Sequence, residues 1–206
     1  MDDHHILYGA RSGNCLRAAV ALEEAGIAHT IRKIALRQGE HKKPAFLAIN
    51  PQGLVPALAV VRAGREQTLL TQSNAIMFYA AQRAADINLG GADLDAKARI
   101  WERFFFFLTE AIAPSMAGFK LAGEGLTDGT RYFHKSIVAN LELADSYVRT
   151  NPYMAGESFS LADIAAYTIT VAHKDKLDWS RLPNLDEWFK RVAARPAVAR
   201  AMSAFD

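Results

Sequence analysis

The sequence predicts a chain in two parts, an α/β domain of βαβ-ββα order followed by an all-helical domain, and three observations predict it. Over roughly the first eighty residues, short apolar runs punctuated by glycine alternate with helical stretches. From about residue 93 that alternation stops, and helical periodicity runs on to Asp206. Between the two regimes, residues 83–93 (RAADINLGGAD) carry a Gly-Gly pair among small polar residues, which is linker chemistry. The expected boundaries are 1–83, a linker over 84–92, and 93–206.

In order, His5 to Gly9 (HILYG) reads as a strand and Leu16 to Ala25 as an alanine-rich helix closed by Gly26. Ala28 to Ile34 alternates like a half-buried strand and completes a βαβ unit, so the two strands pair in parallel. A polar loop over Arg37 to Pro44 leads to an expected antiparallel hairpin, Val55 to Val61 and Thr68 to Leu70, turned at Ala63-Gly64-Arg65. Gln72 to Ala84 is the last helix of this part. In the second part, the four phenylalanines Phe104 to Phe107 sweep about 400° of a helix surface, which predicts a helix enclosed on all sides. Ser160-Leu161-Ala162-Asp163 fits a capping box before an apolar run. Leu182 to Val198 reads as a terminal packing helix.

Half of the 206 residues are apolar and 22% are charged, which excludes disordered and fibrous classes. A net charge of +2 does not argue for nucleic acid or an anionic membrane. The charge is uneven, with 9 basic against 6 acidic residues up to Gln82 and 15 against 16 beyond it, so an anion preference belongs to the first part. Cys15 is the only cysteine, which excludes an intrachain disulfide and a C-x-x-C pair and fits a reducing compartment. The first residues lack the basic and apolar regions of a secretory signal, and unbroken apolar runs fall short of the ~18 residues of a membrane span. The expectation is a cytoplasmic protein with no nucleic-acid or membrane partner and no metal. P-loop, zinc-protease and serine-hydrolase signatures are absent from the sequence.

Four polar segments carry candidate chemistry, each with a plainer structural reading. Arg11-Ser12-Gly13-Asn14-Cys15 follows the first strand, at the carboxyl end where α/β sheets bind ligands. There Ser12 and Asn14 either cap the helix or donate hydrogen bonds to a developing anion. His41-Lys42-Lys43 is a solvated basic loop or a carboxylate holder. Val55-Pro56 is an ordinary trans bond, or a cis bond that turns the valine backbone outward to pair with a bound peptide. Gln72 and Ser73 simply cap a helix, or present its free N–H groups to a carboxylate.

The order and spacing of these segments resemble the glutathione-binding domain of cytosolic glutathione S-transferases. Gly39 to Leu58 (GEHKKPAFLAINPQGLVPAL) followed by Gln72-Ser73-Asn74-Ala75-Ile76 is most similar to the plant phi class and related serine-type bacterial members. The resemblance implies a thioredoxin-like domain plus a helical bundle, in a homodimeric detoxification enzyme that takes glutathione as co-substrate. It implies that Ser12 hydrogen-bonds the glutathione sulfur and that His41 and Lys42 meet the glycine carboxylate. Val55 then pairs with the cysteine backbone beside a cis Pro56, and Gln72 and Ser73 hold the γ-glutamyl group. Two positions depart from the pattern: Leu54 stands where phi proteins usually have glutamine, and Gln72 where many classes have Glu or Asp.

Tyr8 is the rival of Ser12, because mammalian classes use a tyrosine near the end of the first strand. Cys15 is a second rival, although alignment on Ala21-Leu22-Glu23-Glu24 puts Asn14 at the position of the beta-class cysteine. In the helical part Trp101, Phe105, Leu108, Met116 and Phe119 are candidates for an acceptor pocket, with core packing as the plainer reading. The implied reaction is attack of glutathione thiolate on a small hydrophobic electrophile. The alternatives are glutathione-dependent peroxide or disulfide reduction, to which Asn14 is suited, and a non-catalytic interaction protein on the same fold.

Overall fold

The computed structural model describes residues 3–84 and 87–206. Ala85 and Asp86, inside the expected linker, lie outside the described residues. The chain divides into two compact units, Met1–Leu89 with Arg195–Asp206, and Gly90–Ala194.

In the first unit, β1 (His4–Gly9), α1 (Gly13–Glu24) and β2 (His29–Lys33) form the expected βαβ unit, with β1 and β2 parallel. After the one-turn helix α2 (Pro44–Leu47), β3 (Ala57–Val61) runs antiparallel to β1 and to β4 (Thr68–Leu70), giving sheet order β2-β1-β3-β4. Helix α3 (Ser73–Arg83) follows. This is the α/β architecture that the resemblance implies. Alternation along β1 sets its two faces. A Cβ at Gly9 would lie 2.7 Å from the Phe205 ring and 3.1 Å from Cys15 Sγ, so this side of β1 faces α1 and the C-terminal segment. Tyr8 points the other way, into a cluster of Ile34, Phe46 and Ala57.

The expected terminal helix is two helices, α8 (Pro183–Ala193) and α9 (Pro196–Ser203). Pro196 enforces the break by holding Arg195 extended at φ −68°, ψ 128°. Helix α9 belongs with the first unit, whereas the sequence boundary assigned everything beyond residue 93 to the helical part. It packs on α1, where Arg195 pairs with both oxygens of Glu24 at 2.6 and 2.7 Å and Arg200 with Glu23 at 2.7 Å.

The second unit is helical: α4 (Leu94–Phe107), α5 (Ala113–Gly123), α6 (Thr127–Leu143), α7 (Leu161–His173) and α8. A wide turn over Leu108–Ile112 joins α4 to α5 without a break, so Leu94–Gly123 is one run, long and apolar enough by length and composition to cross a membrane. Its buried stripe of Ile100, Phe104, Phe107 and Ala111 repeats at helical spacing, and α4 packs on α7, the pattern of an amphipathic helix with one face on a core. The helix is therefore not enclosed all round, as the four phenylalanines suggested: Phe104 and Phe107 are buried, whereas Phe105 is 50% exposed. The capping box at Ser160 and Asp163 is present. Asp163 does more than cap, accepting from Ser160 N, Ser160 Oγ, Met154 N and Trp188 Nε1 at 2.9–3.0 Å.

Candidate active site

The first functional loop leaves β1 and turns into α1 at Ser12, whose extended backbone makes it the N-cap. Its Oγ accepts from the Cys15 N–H at 3.5 Å, a long contact, and among the described residues its own O–H has no acceptor. Ser12 is thus both the cap and an available donor. Cys15 is fully buried, and its sulfur accepts from the Ala10 N–H at 3.4 Å. Burial pushes its thiol up, so it stays protonated and shielded, the opposite of what a nucleophilic cysteine needs.

Sequence reading missed the residue that ties this loop to α3. Arg17 is 2% exposed, and its Nη1 donates to Asn14 Oδ1 at 2.7 Å and to Ser73 Oγ at 3.4 Å. Burial lowers its pKa to about 10, which leaves the guanidinium charged at neutral pH. The first turns of α1 and α3 therefore meet on one buried cation. A signal was available, because Arg17 stands inside the apolar run Cys15 to Leu22, every residue of which is buried.

At the start of α3, Gln72 occupies the N-cap position without a side-chain cap, and Ile76 N makes the first helical bond, to Gln72 O at 3.0 Å. Among the described residues the N–H groups of Ser73, Asn74 and Ala75 have no partner. This is the open, electropositive helix start that suits a carboxylate. Asn74 Oδ1 is buried beside them without a hydrogen bond. Ser73 itself is 6% exposed and faces Arg17.

The basic loop and the proline are joined by Asn50, a second residue the sequence reading passed over, within the turn Asn50-Pro51-Gln52-Gly53. Asn50 is 1% exposed, accepts from Gln52 N at 3.1 Å and donates to Leu54 O at 2.7 Å. Gly53 has φ +59°, and a Cβ there would lie 2.7 Å from His41 O and 3.0 Å from Lys42 Nζ, so only glycine lets the turn close on the basic loop. Lys42 Nζ donates to Gln52 O at 3.2 Å, and His41 Nδ1 is buried without a partner. The Val55–Pro56 bond is cis. Leu54 is 54% exposed and offers no polar group.

Tyr8 lies on the other side of the sheet, edge-on to Phe46 at 6.3 Å, on the face away from α1. In the helical unit Trp101, Phe105, Met116 and Phe119 are 41–76% exposed and Leu108 is half-buried. Core packing is thereby corrected for the first four: Trp101 and Phe105 lie one residue away from the buried stripe of α4, and Met116 and Phe119 are exposed on α5. Among the described residues no group of three or more His, Cys, Asp or Glu is placed to hold a metal ion.

Comparison with known proteins agrees with this architecture. Residues 11–83 match the family described as glutathione S-transferase, N-terminal domain, and residues 135–196 its C-terminal domain. Glutathione S-transferase 1 of Zea mays is 31% identical over 210 residues, 94% of each chain. The disulfide-bond oxidoreductase YfcG of Escherichia coli is 23% identical, over 95% of this chain and 93% of that one. A glutathione transferase homologue from Sulfitobacter, solved with bound glutathione, superposes with a TM-score of 0.79 at 28% identity over 95% of each chain. With two matched domains and full-length relatives, the chain belongs to the glutathione S-transferase family.

Proposed function

We propose that the enzyme transfers glutathione to a small hydrophobic electrophile, with Ser12 as the residue that activates the sulfur. The observation that carries this reading is Arg17, which holds Asn14 and Ser73, and so the first turns of α1 and α3, on one guanidinium. Ser73, Gln72 and the free N–H groups of α3 take the γ-glutamyl carboxylate. His41 and Lys42 take the glycine carboxylate. The outward Val55 backbone, set beside cis Pro56, pairs with the cysteine residue of glutathione. Leu54 contributes no hydrogen bond to the glycine end.

In the reaction, the glutathione thiol releases its proton to solvent and Ser12 donates its O–H to the thiolate sulfur. The sulfur's electron pair then forms the new bond to the electrophilic carbon, and any leaving group departs with the pair of the bond that breaks. Each unit by which the site lowers the thiol pKa is worth ~1.4 kcal/mol. The exposed side chains of Trp101, Phe105, Met116 and Phe119, with half-buried Leu108, are the candidate acceptor surface of the helical unit. We place the protein in the cytoplasm, as a homodimer with a detoxifying role and of the serine type, resembling the phi class and related serine-type bacterial members.

The similarity to a disulfide-bond oxidoreductase favours a second reading, reduction of a peroxide or disulfide by glutathione. Asn14 suits it. With Oδ1 engaged by Arg17, its Nδ2 is the group left to donate to a sulfur anion.

Titrating the protein with glutathione while following thiolate ultraviolet absorbance against pH tests the site. Bound thiolate near neutral pH, lost in Ser12→Ala, is the expected result. Binding without thiolate, or thiolate that survives Ser12→Ala, would overturn the role of Ser12. Parallel assays with an organic halide, a hydroperoxide and a mixed disulfide then separate the two reactions.

A further inference from the structure

The sheet face opposite α1 holds a cavity that the proposed reaction does not use. Its volume is about 330 Å³, at the small end of small-molecule sites. Tyr8, Ile34, Phe46 and Ile49 supply its apolar lining, and Arg32 and Lys43 stand beside them.

The placement follows from strand register. Tyr8 and Arg32 are partners across β1 and β2, so their side chains share a face, with the guanidinium 5.9 Å from the Tyr8 ring centre. Phe46 comes from α2 and meets the same ring edge-on. Lys43 immediately precedes α2. Among the described residues neither Arg32 nor Lys43 has a carboxylate partner. The one carboxylate lining the cavity, Glu40, accepts from the Ala35 N–H at 2.7 Å through Oε2 and forms no ion pair with either cation. Two cations against one carboxylate, a surplus of one positive charge, therefore border an aromatic pocket.

We propose that this cavity is a second ligand site, for a small aromatic carboxylate. The ring lies against Tyr8 and Phe46, and the carboxylate is held between Arg32, whose fork suits it, and Lys43. An uncharged ring forfeits both cations, and a small inorganic anion forfeits the aromatic lining. The proposal stands apart from the glutathione reading, because Ser12, His41, Lys42, Val55, Gln72 and Ser73 are not among the residues that line this cavity.

The test is a titration of the full chain, methyl-labelled at isoleucine, with 2-naphthoate and with its uncharged analogue 2-naphthamide. Ile34 and Ile49 report on the cavity, and Ile100 and Ile112 on the helical unit. Saturable shifts at Ile34 and Ile49 are expected, with the amide binding at least tenfold more weakly. The double variant Arg32→Gln/Lys43→Gln, in which both replaced side chains are exposed, should also bind naphthoate at least tenfold more weakly while keeping the native isoleucine spectrum. The proposal is overturned if Ile34 and Ile49 do not shift saturably, if shifts appear only at Ile100 and Ile112, if acid and amide bind alike, or if the double variant binds as well as the parent. A failed glutathione titration would leave all of these readings unchanged.

Discussion

Arg17 in the first unit and Asp163 in the second are both buried charges, but their partners differ in kind. Asp163 gathers donors from its own helix start, from the loop at Met154 and from Trp188 on α8, and so pins three segments of the helical unit together. Burial raises its pKa to about 6 against the pull of those donors, so it remains largely ionised at neutral pH. Arg17 instead reaches two side chains, Asn14 and Ser73, at helix starts that the proposed reaction uses. A buried anion surrounded by donors serves the fold. A buried cation behind two helix starts, of which that of α3 has no side-chain cap, adds its field to theirs, where an anionic ligand would bind.

The largest test of this contrast is Asp163→Ala. A capping box alone is worth about 0.5–2 kcal/mol. Here several buried donors lose their acceptor, each at about 1–3 kcal/mol, so denaturant unfolding should show a loss of about 3–5 kcal/mol while kcat/KM of the folded fraction is unchanged. A fall in kcat/KM without loss of stability would erase the distinction between the two charges.

Next comes His173, buried in the second unit with Nε2 3.1 Å from Ser115 Oγ and Nδ1 without a partner. Burial, then Lys176 and His134, lower its pKa to about 4. The unfolded chain takes up the proton near pH 6.5 and the folded chain only near 4. Above pH 6.5 this histidine therefore leaves stability unchanged. Between 6.5 and 4 the unfolded state binds more protons and stability falls with pH, by on the order of 2–3 kcal/mol in total. Asp163, raised to about 6, titrates with the opposite sign over the same range and offsets much of this slope, so the readout is a difference: on going from pH 7 to pH 4.5, His173→Gln should lose less stability, or gain more, than the parent.

How much of this was legible in the sequence depended on whether the signal was local. The βαβ unit, the hairpin, the α3 start and the capping box all rest on residues within a few positions of each other, and each stands close to where the sequence put it. Ser160 and Asp163 are three apart, so their pairing could be read directly; Trp188, which makes Asp163 a junction, is 25 residues away and could not. Arg17 escaped for the same reason, since its link to Ser73 spans 56 residues and only the fold brings them together. Four consecutive phenylalanines do not reveal which two face inward, so the sequence alone predicts an enclosed helix where the structure has a one-sided stripe on α4. The exchange of α9 to the first unit depends on the break at Pro196 and on ion pairs with Glu23 and Glu24, more than 170 residues away.

Arg17→Lys sharpens the contrast from the other side. Lysine keeps the charge but not the planar fork, so it cannot hold Asn14 and Ser73 together. The expected result is about a tenfold rise in KM for glutathione, ~1.4 kcal/mol, with kcat less affected, because the helix starts are misplaced while Ser12 is retained. Arg17→Met, which also removes the charge, should cost more in KM than the lysine variant. Equal effects of the two would show that only the fork matters.

The smallest effect is expected at Cys15, and its smallness is informative. The thiol stands three residues after Ser12, at the start of a helix that ordinarily lowers a cysteine pKa, yet burial outweighs the helix and raises it. Native protein at pH 7.5 should therefore resist iodoacetamide, and Cys15→Ala should leave kcat/KM within about twofold, under 0.5 kcal/mol. Rapid labelling that abolishes activity would move the reactive group from glutathione's sulfur to the protein's own. It would also turn the first unit's site into one that, like Asp163, depends on a buried side chain rather than on open helix starts.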